Sequence, residues 1–441
     1  MNARYRAELD ENGRLNVEQI KKAINHMAHE RERFERMESY YHGENASISR
    51  RARKNGFTPV PVPYGRRIVQ TVTGYMFKPE YISYESDNEP YKATIDELMY
   101  DNHDEVVTPQ IGKHMGIYGV AHELHFVGED DFGRPTAKFV VINPKEMLAV
   151  YSYDLSVERP IAALRWTAIE DEQHVDVYYS DIVASYLRNS SGQLMPAGEV
   201  DHVYGQVPVV EYENNEERQA DFEPVVPLID AYDILASDMV HEVDKIAEAY
   251  LVLTNHTIAD DDADRLRYKR IIELMEGGKA EFLVKNLNAD FTRFMREFIR
   301  EEIHQQSQIP DMTDLKFGGQ QSGVAMRYKL YDLETVASNK EPLVRRGIYD
   351  RFRLIDVVAD ILWGDIGNVR DLSITFTRNV PLNHVEIAQI VAGFRGHISH
   401  ETILEKLVPF VDNASEEMER LAEESDPLGM FSGDTIEIEE E

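Results

Sequence analysis

A helical pattern of unusual length constrains this chain more than any other feature of its sequence. Apolar residues recur at helical spacing from about Val324 to Trp363, which corresponds to roughly 60 Å if the helix is continuous. Pro342 lies inside the pattern and should kink the helix, and Gly364 and Gly367 should end it. A helix of about 40 residues far exceeds the usual length in globular proteins. The pattern therefore argues against one small globular domain.

A second helical segment carries a narrow apolar seam, and it is predicted to run from Leu228 to Leu253. Its apolar residues are three or four positions apart as far as Tyr250, and its other faces carry acids that include Asp238 and Glu242. At about 1.5 Å per residue this helix is roughly 38 Å long. So narrow a stripe suits packing between neighbouring helices better than covering a globular core. A further helix is predicted over 291–308, with one apolar side made of Phe291, Phe294, Met295, Phe298 and Ile303.

The rest of the chain mixes helical and strand-like patterns, which predicts an α+β fold. Helices are predicted over 17–42, from about Tyr64, and over 388–407 and 415–424. The stretch "YYHGENASISRRARKNG" is polar and basic, which is typical of a solvated loop; a contact with an acidic partner or a phosphate backbone is the alternative. Residues 118–210 alternate and are broken by Gly, Asp and Pro, as expected of strands and hairpins, and "LSITFTRNV" predicts one more strand.

The segment from Asn255 to Asp290 differs from the helices on either side of it. It contains an acidic helix start, "DDDADRLRYKRIIELM", a turn at Gly277–Gly278 and the strand-like "KAEFLVKNL". It is therefore predicted to be a short insert between two helices.

The charge of the chain limits the partners that it can bind without specificity. The 441 residues carry a formal net charge of −33, which argues against wrapping DNA by neutralising its phosphates. Residues 1–60 carry 12 Lys and Arg against 9 Asp and Glu, whereas residues 382–441 carry 3 against 15. There are no cysteines, which excludes disulfides and thiolate sites. No signal peptide and no membrane span is recognised, so a soluble protein in the cytoplasm is expected.

A glycine-rich stretch, "FGGQQSGVAM", resembles half of a phosphate-binding loop. Gly318 and Gly323 have the spacing of that motif, but Val324 and Ala325 follow where Lys and Ser or Thr are required. Without the lysine and the hydroxyl, nothing would reach the phosphates or hold magnesium. The glycines are better explained as slack in a loop, with Ser322 as the N-cap of the long helix.

No motif makes a positive case for an enzyme. His–Glu pairs occur at four places, but none has the second His of a zincin, and no G-x-S-x-G elbow exists. His122 and His125 are interpreted as ordinary polar strand positions. Asp260, Asp262 and Asp264 begin like an EF-hand loop, but Arg265 stands where the loop requires glycine. The sequence thus predicts no catalytic residue, no metal and no cofactor.

Two long segments resemble the portal proteins of tailed bacteriophages, of the kind typified by the portal of phage SPP1. The first is "VPVVEYENNEERQADFEPVVPLIDAYDILASD" at 207–238, and the second is "GGQQSGVAMRYKLYDLETVASNKEPLVRRGI" at 318–348. "HISHETIL" followed by an acidic helix, and the early "YYHGE" and "GYMFKPE", also match the family. The resemblance covers nearly the whole chain in the same order.

The resemblance implies an α+β portal fold assembled as a ring, usually of twelve subunits, around a central DNA channel. In chain order it implies an N-terminal wing (1–222, β-rich at 118–210), a stem helix (223–254), a clip (255–290), a second stem helix (291–310), a tunnel loop (311–322), a long helix with a return strand (323–381), a helical crown (382–424) and an acidic disordered tail (425–441).

The resemblance also implies partners and site residues. The ring would pass double-stranded DNA without sequence specificity, would dock the terminase large subunit and the head-completion adaptor, and would contact the major capsid and scaffolding proteins. It would stand at the portal vertex of the virion, after assembly in the host cytoplasm, with no membrane contact. Three groups of residues are implied: the tunnel-loop residues Lys316, Phe317, Gly318, Gly319, Gln320 and Gln321; the channel-facing acids Asp238 and Glu242; and the clip residues Asp260, Asp261, Asp262, Asp264, Arg265 and Lys269.

Two alternatives from other classes stay open. A metal-dependent nuclease or phosphotransfer enzyme would use the acidic segments and predicts a convergent carboxylate cluster. Another oligomeric virion protein, such as an adaptor, is the second alternative; the chain length and the long helix speak against it.

Overall fold

The fold of the chain was determined as a computed structural model, and it is of the mixed α+β class. The structure describes residues 4–169, 172–189, 191–247, 250–254, 277, 279–283, 289–311, 328–378, 391–394, 397–407, 414, 417–418 and 420–421. The chain divides into two compact units: Met1–Asp311 with Asp332–Asn379, and Met312–Tyr331 with Val380–Glu441. All interactions described below lie within the first unit.

The helices agree largely with the periodicity of the sequence. They are α1 (Val17–His42), α2 (Ala46–Asn55), α3 (Tyr64–Met76), α4 (Glu89–Asp101), α5 (Asp104–Tyr118), α6 (Val226–Ala247), α7 (Ala289–Ser307), α8 (Tyr331–Trp363) and α9 (His400–Leu407). The prediction for α1 is confirmed at both ends. Asn16 and Gln19 form a capping box at its start, and Gly43 adopts a left-handed conformation at its end.

The strands in the described ranges form four sheets. They are β1 (Tyr5–Arg6), β2 (Ile82–Glu85), β3 (Val120–Glu129), β4 (Pro135–Ile142), β5 (Met147–Tyr151), β6 (Ala162–Ile169), β7 (Glu172–Tyr178), β8 (Ile182–Arg188), β9 (Leu194–Asp201), β10 (Val209–Glu213), β11 (Tyr250–Thr254), β12 (Lys279–Leu283) and β13 (Ser373–Phe376). The sheet orders are β1-β5-β6-β7-β8-β9, β10-β3-β4, β11-β12 and β13-β2. Among these described strands, β1 and β5 pair in parallel and the other pairings are antiparallel.

One hydrophobic core of the described residues lies between α1 and the six-stranded sheet. One face of α1 and the facing side chains of β5 to β8 are almost fully buried, which stabilises the unit by removing apolar area from water. The buried residues include Ile20, Ala23, Ile24, Met27, Val150, Leu164, Val175, Val177 and Tyr179. The alternation along these strands places one face on the core, which confirms the predicted β-rich region.

The long helix α8 buries one side of its length, including Val344, Ile348 and Ile355. Its 33 residues span about 50 Å. Gly347 is buried where α8 meets β10, and a Cβ there would lie 2.3 Å from the ring of Tyr212. Only glycine permits so close an approach. The predicted start of this helix, at Val324, lies outside the described residues.

Two predictions about local structure were wrong. The polar stretch after α1 contains the helix α2, which Asn45 caps by accepting hydrogen bonds from the backbone N–H groups of Ser47 and Ile48. The second helix ends at Ala247 instead of Leu253, because Tyr250–Thr254 forms strand β11 and pairs with β12. The run Tyr-Leu-Val-Leu-Thr is rich in residues that favour strands, so pairing overrides the helical spacing there.

Candidate functional site

The helices α6 and α7 pack against each other, and the strands β11 and β12 form a ladder between the end of α6 and the start of α7. Arg296 of α7 donates from Nε to the Tyr232 hydroxyl of α6 over 3.1 Å. The Tyr232 ring in turn meets the ring of Tyr64 in α3 edge-on, with 5.1 Å between centroids. Ile299 and Ile303 are buried side chains on the inner face of α7. The pair is therefore anchored to the N-terminal helices at one end.

Two acidic residues of α6 form hydrogen bonds within the protomer. Asp233 is 1% exposed and accepts hydrogen bonds from Asn45 Nδ2 (2.9 Å) and from the Val62 backbone N–H (2.8 Å). Burial raises the pKa of Asp233 to about 6, although these two hydrogen bonds favour the charged form and act in the opposite direction. Asp230 accepts hydrogen bonds from Tyr40 and Asn45. These two acids hold α6 against α1 and α2.

The two predicted channel-facing acids lie further along α6. Asp238 is 3.0 Å from Arg51 of α2, and 43% of the Asp238 side chain is exposed. Glu242 follows one turn later and is half-buried. Asp238 thus reaches solvent while it shares its charge with a cation of the same protomer. The other predicted site residues, 316–321 and the acidic and basic positions within 260–269, lie outside the described residues.

The apolar side predicted for the helix at 291–308 faces solvent over much of its length. Phe291, Phe294 and Phe298 are 60%, 61% and 45% exposed, and the rings of Phe294 and Phe298 stack with 6.3 Å between centroids. Three aromatic rings on one exposed helix face are unusual for a protein that acts alone. This face is therefore suited to a contact outside the protomer.

Strand β3 carries a buried network of histidine, carboxylate and arginine side chains that no sequence motif indicated. His122 Nε2 lies 3.0 Å from Glu211 Oε2, and His125 Nε2 lies 2.7 Å from Glu123 Oε1. Arg351 of α8 donates from Nη2 to Glu123 over 2.7 Å. Burial opposes the ionisation of Glu123, but the charge of Arg351 and the hydrogen bond from His125 outweigh it and hold the pKa of Glu123 at about 2. These histidines are structural members of a buried hydrogen-bonded network, and in the sequence only Glu123, one position after His122 and two before His125, hinted at it.

Neither a metal-binding cluster nor a membrane-spanning helix occurs in the described part of the chain. Within it, no group of three or more His, Asp or Glu side chains converges in a way that could hold a metal ion. The helices in the described ranges include none whose length and apolar character would let it cross a bilayer.

The sequence model of one family, described as phage portal protein, SPP1 Gp6-like, matches residues 20–427. The portal protein of Bacillus phage SPP1 is 26% identical over 384 residues, covering 82% of this chain and 75% of that protein. The portal protein of Clostridium phage phiCD119 is 23% identical over 324 residues, covering 68% and 70%. A solved chain from the neck of an empty GTA particle, computed with C6 symmetry, is 12% identical with a TM-score of 0.46, covering 84% of this chain and 92% of that one. Since the family match spans almost the entire chain, this protein belongs to the SPP1 Gp6-like family of phage portal proteins.

Proposed function

We propose that this chain assembles as a ring, of twelve subunits in the capsid, at one vertex of a tailed-phage virion. Double-stranded DNA would be packaged and ejected through the central channel of this ring. The observation that carries the proposal is the family match over residues 20–427, which includes α6, α7 and α8. Portal proteins are structural rather than enzymatic, which agrees with the lack of a catalytic motif in the sequence.

The segments take their roles in this proposal from their order in the chain. α6 and α7 form the stem, and residues 255–290 between them form a clip that docks the terminase large subunit and later the head-completion adaptor. Residues 311–322 form a tunnel loop that meets the duplex. Major capsid and scaffolding proteins contact the ring during assembly in the host cytoplasm.

The charge of the chain supports a channel through which DNA slides. A basic lining would bind the DNA phosphates tightly and release their counterions. This tight binding would slow the movement of the DNA through the channel. An acidic lining repels the duplex and keeps every contact with it weak. Asp238 and Glu242 of α6 are the acids that we assign to this lining, since both are accessible on a stem helix.

Deletion of residues 318–321 should separate assembly from DNA handling. We expect rings of normal size and stability in images of the purified variant, together with at least a tenfold loss of packaged DNA. A length-matched variant with four serines at these positions should package near the wild-type level, because serine keeps the reach of the loop. Normal packaging by the deletion variant would contradict the role of the loop. A wild-type protein that stays monomeric and cleaves DNA with magnesium would overturn the proposed function.

A further inference from the structure

An arginine-lined cleft lies on the first unit, between α8, β10 and the loop that joins β5 to β6. Its volume is about 760 Å³. Five arginines line it against three acids, in a chain whose net charge is −33. The arginines are Arg4, Arg159, Arg345, Arg346 and Arg353, and the acids are Glu158, Glu211 and Asp350. The cleft is thus locally basic on a strongly acidic protein.

The carboxylates near the cleft are shared among several guanidinium groups. Asp350 accepts from Arg159 Nε at 3.1 Å and from Arg353 Nη1 at 2.8 Å. Glu213 accepts from both Arg4 and Arg346. A guanidinium carries five N–H donors, and the side chains of Arg159 and Arg353 are 47% and 43% exposed. The cleft can therefore receive further carboxylates.

The lining of the cleft and the loop beside it are apolar as well as basic. Val157 lines the cleft, and Leu155 and Tyr153 of the same loop are 80% and 61% exposed. Tyr349 and Leu354 of α8 also line the cleft. A DNA backbone supplies phosphates but no apolar side chains, whereas an acidic protein segment with an aromatic residue supplies both. The cleft therefore fits a protein segment of that composition.

The chain itself carries a surface of this kind, which we call the acidic knob: Tyr100, Asp101, Glu129, Asp131 and Phe132. Phe132 in the turn between β3 and β4 is 84% exposed, and Tyr100 at the end of α4 is 77% exposed. Lys138 of β4 donates to the backbone carbonyl of Asp101 over 2.8 Å, which ties the two parts together. Arg134 lies within this surface, where its Nε donates to Asp130 over 2.6 Å and its guanidinium lies 5.3 Å from the centre of the Phe132 ring. The knob therefore presents its acids and rings as one preformed surface in which the acids outnumber this cation.

We propose that the acidic knob of one copy docks in the arginine cleft of the next copy, an inference that rests on the ring proposed above. The knob cannot fill the cleft of its own chain. Leu124 pairs with the cleft residue Val209, and Glu129 lies five residues further along β3, about 17 Å away at the rise of a strand. The ladder between β3 and β4 stays paired as far as Glu129 and holds the knob there.

Contacts between two different surfaces of identical subunits are heterologous, and they close into rings when the rotation allows it. Copies of a chain with a charge of −33 repel one another. A basic cleft that faces an acidic knob is a local exception to this repulsion. The pairing of opposite charges also sets the direction of the contact, which a ring requires.

Charge reversal on each side tests the contact. The cleft variant carries Arg159→Glu and Arg353→Glu, and the knob variant carries Glu129→Arg and Asp131→Arg. Each variant should need at least tenfold more subunit for half-assembly, measured by mass photometry across a dilution series. A 1:1 mixture should assemble near the wild-type concentration, because the reversed knob then meets the reversed cleft. Phe132→Ala, which removes an exposed ring whose contact is with the surface residue Arg134, should also weaken assembly.

Arg53→Glu with Arg370→Glu serves as the matched control, since both side chains are exposed and neither belongs to the cleft. Thermal unfolding by circular dichroism checks that every variant subunit is folded. Rings of wild type together with normal assembly of the cleft, knob and Phe132→Ala variants would overturn this inference while leaving the proposed function intact. Impaired single variants without recovery in the mixture would also overturn it. A wild-type chain that forms no ring would instead contradict the proposed function.

Discussion

At the residue scale, the molecule depends on polar side chains that are buried on the long helix α8. Lys340 reaches Asn214 over 2.7 Å, Arg351 reaches Glu123, and Asp356 accepts from the Tyr91 hydroxyl over 2.8 Å. Removing one partner of such a buried pair costs more than the pair contributes, because the other charge stays buried alone. None of these partners is close in sequence, so a helical pattern alone cannot identify them.

The buried carboxylate Asp356 should make folding stability fall as pH rises. Burial raises its pKa to about 6 from 3.8, against hydrogen bonds from Tyr91 and from the Val369 backbone N–H. The folded state therefore binds more protons than the unfolded state between about pH 4 and about pH 6, and stability is lost over that window. Asp356→Asn keeps both hydrogen bonds if its amide group donates to Tyr91. The substitution should remove roughly 2 kcal/mol of the stability that the wild type loses between about pH 4 and about pH 6.

The measurement is urea unfolding at a series of pH values between 4 and 7, at a subunit concentration too low for assembly. Asp87→Asn, which removes the same charge from an exposed loop, is the control. Equal slopes for wild type and Asp356→Asn would contradict the assigned protonation of Asp356. Glu123 affects folding stability at lower pH and with the opposite sign. Because its pKa is lowered from 4.5 to about 2, the stability that it contributes is lost only as pH falls below about 4.5.

At the scale of elements, the sequence predicted those helices whose apolar periodicity also decides their packing. α1, α3 and the described length of α8 follow their patterns closely. The short helix α2 was missed because only Ile48 and Ala52 are buried in it, and its caps and α6 stabilise it instead. The arginine cleft was missed because its residues come from separate segments that only the fold brings together.

Replacing a helical glycine with alanine should have opposite effects on stability at Gly347 in α8 and at Gly74 in α3, because only Gly347 packs closely on β10. Gly347→Ala adds a methyl group 2.3 Å from the Tyr212 ring, and such overpacking costs about 1–3 kcal/mol or more. The better helix propensity of alanine returns only about 1 kcal/mol. The variant should therefore be less stable than wild type. In α3, Gly74→Ala meets nothing within 4 Å and should gain stability.

Both variants can be compared by denaturant unfolding under the same conditions. Because the gain in helix propensity is common to the two, the difference between them isolates the contact with Tyr212. A Gly347→Ala protein as stable as Gly74→Ala would show that β10 and α8 are further apart than described.

At the scale of the whole molecule, two electrostatic effects compete when copies meet. The net charge of −33 repels over long distances, whereas the proposed contact between knob and cleft attracts over a few ångströms. Salt shortens the distance over which exposed charges interact, from about 30 Å at 0.01 M to about 8 Å at 0.15 M. Partly buried pairs are screened much less. Salt should therefore weaken the repulsion more than the attraction.

Assembly should accordingly become easier as salt rises from about 0.01 M to about 0.15 M, with a several-fold lower subunit concentration at half-assembly. Mass photometry at fixed pH can follow this shift. The cleft variant should show a steeper dependence on salt than wild type, because it keeps the repulsion and loses the attraction. Assembly that weakens steadily over this range would mean that exposed ion pairs dominate the contact between subunits, and that the repulsion between acidic copies has little influence on the ring.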